Sequence, residues 1–250
     1  MKSISTFIFV HKQEIILEYK KINKFNRLPS KKYVLVGKNP FDLVDGMDDV
    51  IICQKFEDNI EDYPRFTSYT GWYLLWKYNL IDTDFVNLFE YDINIEPSIQ
   101  TVFHQIQNSD LDFVGYLPLF IEEECYIKTR KWVDELINSI KKNYDLDIDN
   151  FFNDYLKEKP NGVWSTTSNS TFSKEAFDRY MIWFEKVFED LKDFEFSGHA
   201  HERSISFFYL TQNLKIAISP NVIEHLQLNS HETSDFPDAN RFENLYPKLL

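Results

Sequence analysis

The chain has 250 residues, 43% of them apolar and 17% aromatic, enough for a large buried core and inconsistent with global disorder. Six glycines stand where ordinary usage gives roughly 17, and no two lie closer than nine positions, which excludes G-x-G-x-x-G, the glycine-rich phosphate loop and the G-x-S-x-G elbow. The net charge of −13 is uneven: residues 1–40 hold nine Lys/Arg against two Glu, the remaining 210 residues carry −20, and so acidic a body disfavours nucleic acid as a partner.

Three short apolar runs open the chain, at Phe7-Ile8-Phe9-Val10, Tyr33-Val34-Leu35-Val36 and Val50-Ile51-Ile52-Cys53. Continuous runs of this length suit strands buried on both faces of a parallel sheet. The first follows Met1-Lys2, but it is too short for a signal peptide and meets His11-Lys12-Gln13-Glu14 without a cleavage site. Between the first two runs, Ile15, Ile16, Tyr19 and Ile22 have helical spacing, so the segment reads as a β-α-β crossover. A helix is predicted over residues 68–78. A strand follows from Asp84, ending in acids at Glu90 and Asp92, and another is predicted over 112–116. Residues 129–158 have a helical pattern, and 160–171 read as a loop rich in hydroxyls and amides. An amphipathic helix runs from Lys174 to about Lys192. Gly198-His199-Ala200-His201-Glu202-Arg203 then leads into a helix starting at Ser204, followed by a short strand at 215–218. The tail from Asn229 to Leu250 is expected to wrap the surface. Cys53 and Cys125 lie far apart with no C-x-x-C, which fits a reducing compartment without structural zinc or disulfides. The expected fold is an α/β sandwich on a mostly parallel sheet, with ligands bound outside the carboxyl ends of the strands.

The sharpest chemical feature is Glu90-Tyr91-Asp92. Alternate residues of an extended chain project to one side, so this pair can present two hard oxygen ligands to Mg²⁺ or Mn²⁺, which in turn bridges to a diphosphate. That route needs no glycine cradle. The second feature is Glu202, read as standing at a helix start, where a carboxylate could deprotonate a hydroxyl, with Arg203 to pair with it or with phosphate. His199 and His201 flank this position. His11, closing the first strand, could line a nucleotide pocket. His231 is the candidate third metal ligand, while His104 and His225 are scattered. Trp164, in the hydroxyl-rich segment, can serve as a sugar platform or as an anchor to the core. Tyr69, Trp72, Tyr73 and Trp76 have helix spacing and read mostly as core.

Three stretches together resemble the small bacterial glycosyltransferases of capsule, lipopolysaccharide and exopolysaccharide synthesis, which have a GT-A-like fold. These are Tyr69-Thr70-Gly71-Trp72 through Glu90-Tyr91-Asp92, residues 171–184, and Gly198 to Phe208. The resemblance implies a single domain, with residues 1–115 binding the nucleotide-sugar and 116–250 forming the acceptor side and tail. It implies transfer from a nucleotide-sugar to a saccharide or lipid-linked saccharide, with Mn²⁺ or Mg²⁺ on Glu90, Asp92 and His231. Glu202 would act as base, and Trp164, His199, His201 and Arg203 would meet substrate. The Tyr-Arg-Arg run usual in the family is missing, which leaves Arg65, Lys38 and His11 for the donor's phosphates and nucleoside. The setting implied is cytoplasmic, and the basic first 40 residues are suited to peripheral contact at the inner membrane surface. Two other readings stay open: a non-catalytic nucleotide- or carbohydrate-binding module, and a metal-dependent phosphoesterase.

Overall fold

The computed structural model describes residues 1–116, 119–121, 130–158, 163–165, 167–220, 222–226 and 249. Seven strands form one sheet. In spatial order they are β10 (Ile216–Ser219), β6 (Phe113–Tyr116), β9 (Ser170–Ser173), β4 (Phe85–Glu90), β1 (Ile4–Val10), β2 (Lys31–Leu35) and β3 (Val50–Ile52). Neighbours run parallel except at β9, which is antiparallel to both β4 and β6. Two small antiparallel pairs accompany it: β5 (Ile93–Ile95) with β11 (Ile223–His225), and β7 (Leu119–Ile121) with β8 (Val163–Ser165).

The strand sequences explain the layers. Every residue of β1 is buried, because both faces of the sheet are covered. Phe7 and Phe9 enter one core, with Val34, Val86, Leu88 and Phe172. Ile8 and Val10 enter the other, with Tyr33, Leu35, Phe85 and Phe89. The first core is covered by α2 (Tyr69–Lys77), α4 (Arg130–Tyr144), α6 (Lys174–Leu191) and α7 (Ser197–Thr211). The second lies under α1 (Gln13–Lys21) and α3 (Ile99–Gln107). The result is a mixed α/β three-layer sandwich, as expected from the strand and helix pattern.

Helix α6 shows how sequence sets an element. Ser173 caps it, its hydroxyl accepting from the Ala176 N–H at 3.2 Å. Phe177, Tyr180, Met181, Phe184, Val187, Phe188 and Leu191 then repeat on its buried face. Each such side chain contributes up to about 1.5–3 kcal/mol on burial. The helical region predicted at 129–158 is two helices, α4 and α5 (Ile148–Glu158). They part at Asp145, whose φ is 52°, and the Asp147 carboxylate accepts from the Asn150 N–H at 3.1 Å to start the second.

Two expectations are corrected. Residues 163–165 and 170–173 are strands, not loop. The hydroxyls that suggested a loop at 170–171 are paired inside the sheet. The Thr171 hydroxyl donates to Asn87 Oδ1 at 2.6 Å and meets the Tyr116 hydroxyl at 2.8 Å, and Asn87 Nδ2 donates to Thr6 at 3.0 Å. This buried polar row crosses four strands. The second correction is that α7 begins at Ser197, seven residues before the expected start. Small residues Ser197, Ala200 and Ser204 let it sink into the protein, and ten of its fifteen positions are buried. A helix buried all round has no amphipathic stripe to read.

Strands from both expected halves of the chain share the one sheet. Among the described residues no helix is long and apolar enough to cross a membrane.

Candidate active site

From β1 the chain steps to β2 and β3 on one side, then returns to β4 on the other. The reversal leaves a crevice at the carboxyl ends of β1 and β4, the place where open α/β sheets bind ligands. A cleft of about 560 Å³ lies there. Its floor is Phe9 and His11 after β1, Val36 and Gly37 after β2, and Glu90, Tyr91 and Asp92 after β4. Its far wall is a short 3₁₀ turn (Pro64–Phe66), the start of α2 and the first turns of α7.

The acid pair is held in place. The Glu90 N–H donates to Asn169 Oδ1 at 2.8 Å, and the Ser68 hydroxyl reaches Glu90 Oε1 at 3.3 Å. Asp92 is 9% exposed, and its backbone carbonyl accepts from the Leu226 N–H at 2.8 Å. Lys24, after α1, donates to the Tyr91 carbonyl at 3.2 Å, and its charge interacts with Asp92. Burial lowers the Lys24 pKa, and the charges of Asp92 and Glu18 oppose that shift. His11 packs edge-on to Tyr91 with ring centres 4.9 Å apart. Burial, then the charge of Lys12, lowers its pKa, against the pull of Asp92.

Across the cleft, α7 sits against the 3₁₀ turn at Gly198. A Cβ there would lie 2.6 Å from the Arg65 carbonyl oxygen, so only glycine permits this approach. His199 and Glu202 thereby line the same cleft as the acid pair. Glu202 Oε2 accepts from Arg203 Nη1 at 2.6 Å and lies 3.6 Å from His199 Nδ1. Trp132 of α4 stacks on His199 with ring centres 4.5 Å apart, and the Arg203 guanidinium lies 5.1 Å from the Trp132 ring centre. Because α7 starts early, Glu202 sits in its second turn, and the proposed benefit of a helix terminus does not apply to it.

Of the residues singled out from sequence, His11, Arg65, Glu90, Asp92, His199 and Glu202 line the cleft. Arg203 does not: it is 5% exposed and grips Glu202 from behind. His201 is a correction. It is fully buried among Tyr69, Trp72, Tyr180 and Phe184, with no hydrogen-bond partner on either ring nitrogen among the described residues, and does not line the cleft. Lys38 pairs with Asp62 on the surface. Trp164 lies in β8 with its backbone opposite Phe120. His231 lies outside the described residues, so the third metal ligand has no placement.

Sequence reasoning missed Lys24, Trp132 and above all Glu61. Glu61 is 2% exposed and lines the cleft beside Gly37, whose N–H donates to its Oε2. Burial pushes its carboxyl pKa up, opposed by the Gly37 N–H, by Cys53 and Thr70, and by the charge of Lys38. In sequence it stands in Glu57-Asp58-Asn59-Ile60-Glu61-Asp62, which reads as a solvated acidic run, and nothing there marks one acid as buried.

The cleft is thus strongly acidic: Glu61, Glu90, Asp92, Glu195 and Glu202 against Arg65 and two histidines. Its hard oxygen donors fit a divalent cation that binds through one or two carboxylates and completes its shell with substrate phosphates. Among the described residues no group of three His, Cys, Asp or Glu converges on a single metal position.

The layered sheet with its cleft at the β1–β4 reversal defines a glycosyltransferase-type fold. A solved structure titled "WbbM bifunctional glycosytransferase apo structure" superposes on it with a TM-score of 0.58 at 15% identity, covering 88% of this chain and 45% of that one. This chain therefore spans under half of that protein, and the likeness is one of fold. No protein-family model matches the chain, and no curated protein matches it in sequence.

Proposed function

We propose that the protein is a metal-dependent glycosyltransferase. It moves a sugar from a nucleotide-sugar to a saccharide or lipid-linked saccharide in surface polysaccharide synthesis. One observation supports this reading: in a glycosyltransferase-type fold, Glu90, Asp92 and Glu202 line one cleft at the strand ends. An anionic donor entering so acidic a cleft needs a countercharge, and Glu90 and Asp92 would hold the Mn²⁺ or Mg²⁺ that provides it. When bound, that cation neutralises the departing nucleoside diphosphate. Arg65 and His11 would flank the phosphates. If the reaction inverts configuration, Glu202 takes the proton of the attacking hydroxyl. Arg203 and His199 both contact its Oε2, and Oε1 would accept that proton. Arg203 and His199 would orient the carboxylate. The setting fitted to these substrates is the cytoplasm, with the basic first 40 residues available to an anionic membrane.

The test is transfer and donor hydrolysis with a panel of nucleotide-sugars and Mn²⁺. Asp92→Ala should reduce turnover by at least about a hundredfold, the loss of several kcal/mol of transition-state charge stabilisation. Unchanged turnover in that variant would overturn the metal reading. The second reading is a non-catalytic nucleotide-binding module, favoured by there being, among the described residues, two acids at the strand end rather than three converging ligands. It predicts nucleotide binding that is indifferent to Mn²⁺, and no turnover.

A further inference from the structure

Trp132 touches two residues around Glu202 at once. Helix α4 buries Val133, Leu136, Ile137 and Ile140 in the first core, and Trp132 stands one turn before Leu136. It is half-buried. One contact is the stack on His199, with ring centres 4.5 Å apart and planes 19° apart. The other is the Arg203 guanidinium, 5.1 Å from the ring centre. His199 and Arg203 are four positions apart on α7, so they stand one above the other, and the two-ring indole is long enough to meet both. These same two residues contact Glu202 Oε2, at 3.6 and 2.6 Å. Arg203 is 5% exposed, and its Nε has no hydrogen-bond partner among the described residues. A buried guanidinium is costly unless its charge is compensated, and an aromatic face adds to what Glu202 supplies. The ring does so without competing. A carboxylate at position 132 would draw Arg203 off Glu202, whereas a ring face attracts the cation and leaves its N–H groups to the carboxylate.

We propose that Trp132 is a positioning residue for Glu202: one ring holds both of the side chains that fix the carboxylate, and so ties α4 to the acceptor side of the cleft. The inference rests on the reading of Glu202 as the group that takes the acceptor's proton. Trp132 does not line the cleft and acts through Arg203 and His199. Without the ring, those two side chains are free to tilt and carry Glu202 with them. A displacement of about 1 Å at a reacting group can cost about a hundredfold in rate.

The experiment is steady-state transfer by the full chain, comparing wild type, Trp132→Leu, Trp132→Phe and Glu202→Gln. It is paired with calorimetric binding of the donor's nucleoside diphosphate with Mn²⁺. Leucine keeps apolar bulk and removes the ring face, whereas phenylalanine keeps a ring face. Trp132→Leu should lower kcat at least about tenfold, with donor KM and nucleoside diphosphate affinity unchanged, and Trp132→Phe should recover most of that loss. Full kcat in Trp132→Leu, with Glu202→Gln inactive, would overturn the inference and leave the transferase reading standing. So would nucleotide affinity that falls in step with kcat, which is the mark of a merely structural role, and so would equal losses in the two Trp132 variants. A second measurement needs no Trp132 variant. Proton NMR of wild type beside His199→Gln identifies the His199 ring signals. Stacking on the indole should shift them upfield, and signals at ordinary positions would overturn the inference. Full turnover in Glu202→Gln would sink the assignment of Glu202 and this inference with it. A wild type that transfers no sugar from any donor would sink the transferase reading as well.

Discussion

His201 is an ionisable group in an aromatic box. Among the described residues neither ring nitrogen has a partner, and burial lowers its pKa to about 3. The folded protein therefore excludes a proton that the unfolded chain accepts near pH 6.5. The resulting stability is fully present above pH 6.5 and is lost as the pH falls toward 3. Between pH 6.5 and 5 the loss is about 1.6 kcal/mol, the slope approaching 1.36 kcal/mol per unit only below the unfolded pKa. His201→Phe should remove this dependence, read as a flatter denaturation free energy across that window, whatever the variant's absolute stability. His11, whose pKa burial also lowers, contributes in wild type and variant alike, so the difference between the two profiles reports His201. An equally steep profile in the variant would show that the ring is not held neutral. Sequence could not separate His201 from His199, two positions away. On a helix, neighbours two apart face different directions, so one ring meets the cleft and the other the core.

At the scale of elements, legibility followed periodicity. β1, β2, β3, β4, β6, β10, α2 and α6 stand where apolar runs or helical spacing put them, and the acidic end of β4 is the floor of the cleft. β9 and the first two turns of α7 were not legible. Hydroxyls in β9 find partners only when β4 and β6 flank them, and α7 is too uniformly buried to show a face. The second omission touched the site, since α7 carries His199 and Glu202. The contact that places α7 is Gly198 on the Arg65 carbonyl. Gly198→Ala forces backbone apart there, a strain of about 1–3 kcal/mol by analogy with overpacked cores. The variant should melt several degrees lower. At a temperature where it remains folded, kcat of the proposed transfer should fall at least about tenfold, because small displacements of the groups assigned to it would be expensive. A variant with a lowered melting point and full kcat would show that the contact supports the fold without aiming the residues.

Across the whole molecule, the late segments complete the early ones. β9 lies between β4 and β6, so residues 1–116 alone leave β6 with no strand of the main sheet beside it and β4 with an open edge. Exposed apolar edges associate. A fragment ending at residue 116 should therefore aggregate or remain unfolded, as seen by size-exclusion chromatography and circular dichroism. A monomeric fragment with native-like spectra would contradict this. Insertion of β9 also raises a problem of alignment. Apolar alternation repeats every two residues, so β9 displaced by two along β4 would still turn its apolar side the right way. The side-chain row across the sheet removes that ambiguity. In register, Thr171 lies opposite Asn87. Shifted by two, it would lie opposite Phe85 or Phe89, and Asn87 would lose its acceptor role at a cost of about 1–3 kcal/mol per buried group. The polar row thus acts as a key with a single keyway: it adds little to the adhesion of the sheet and much to the choice among nearly equivalent ways of closing it.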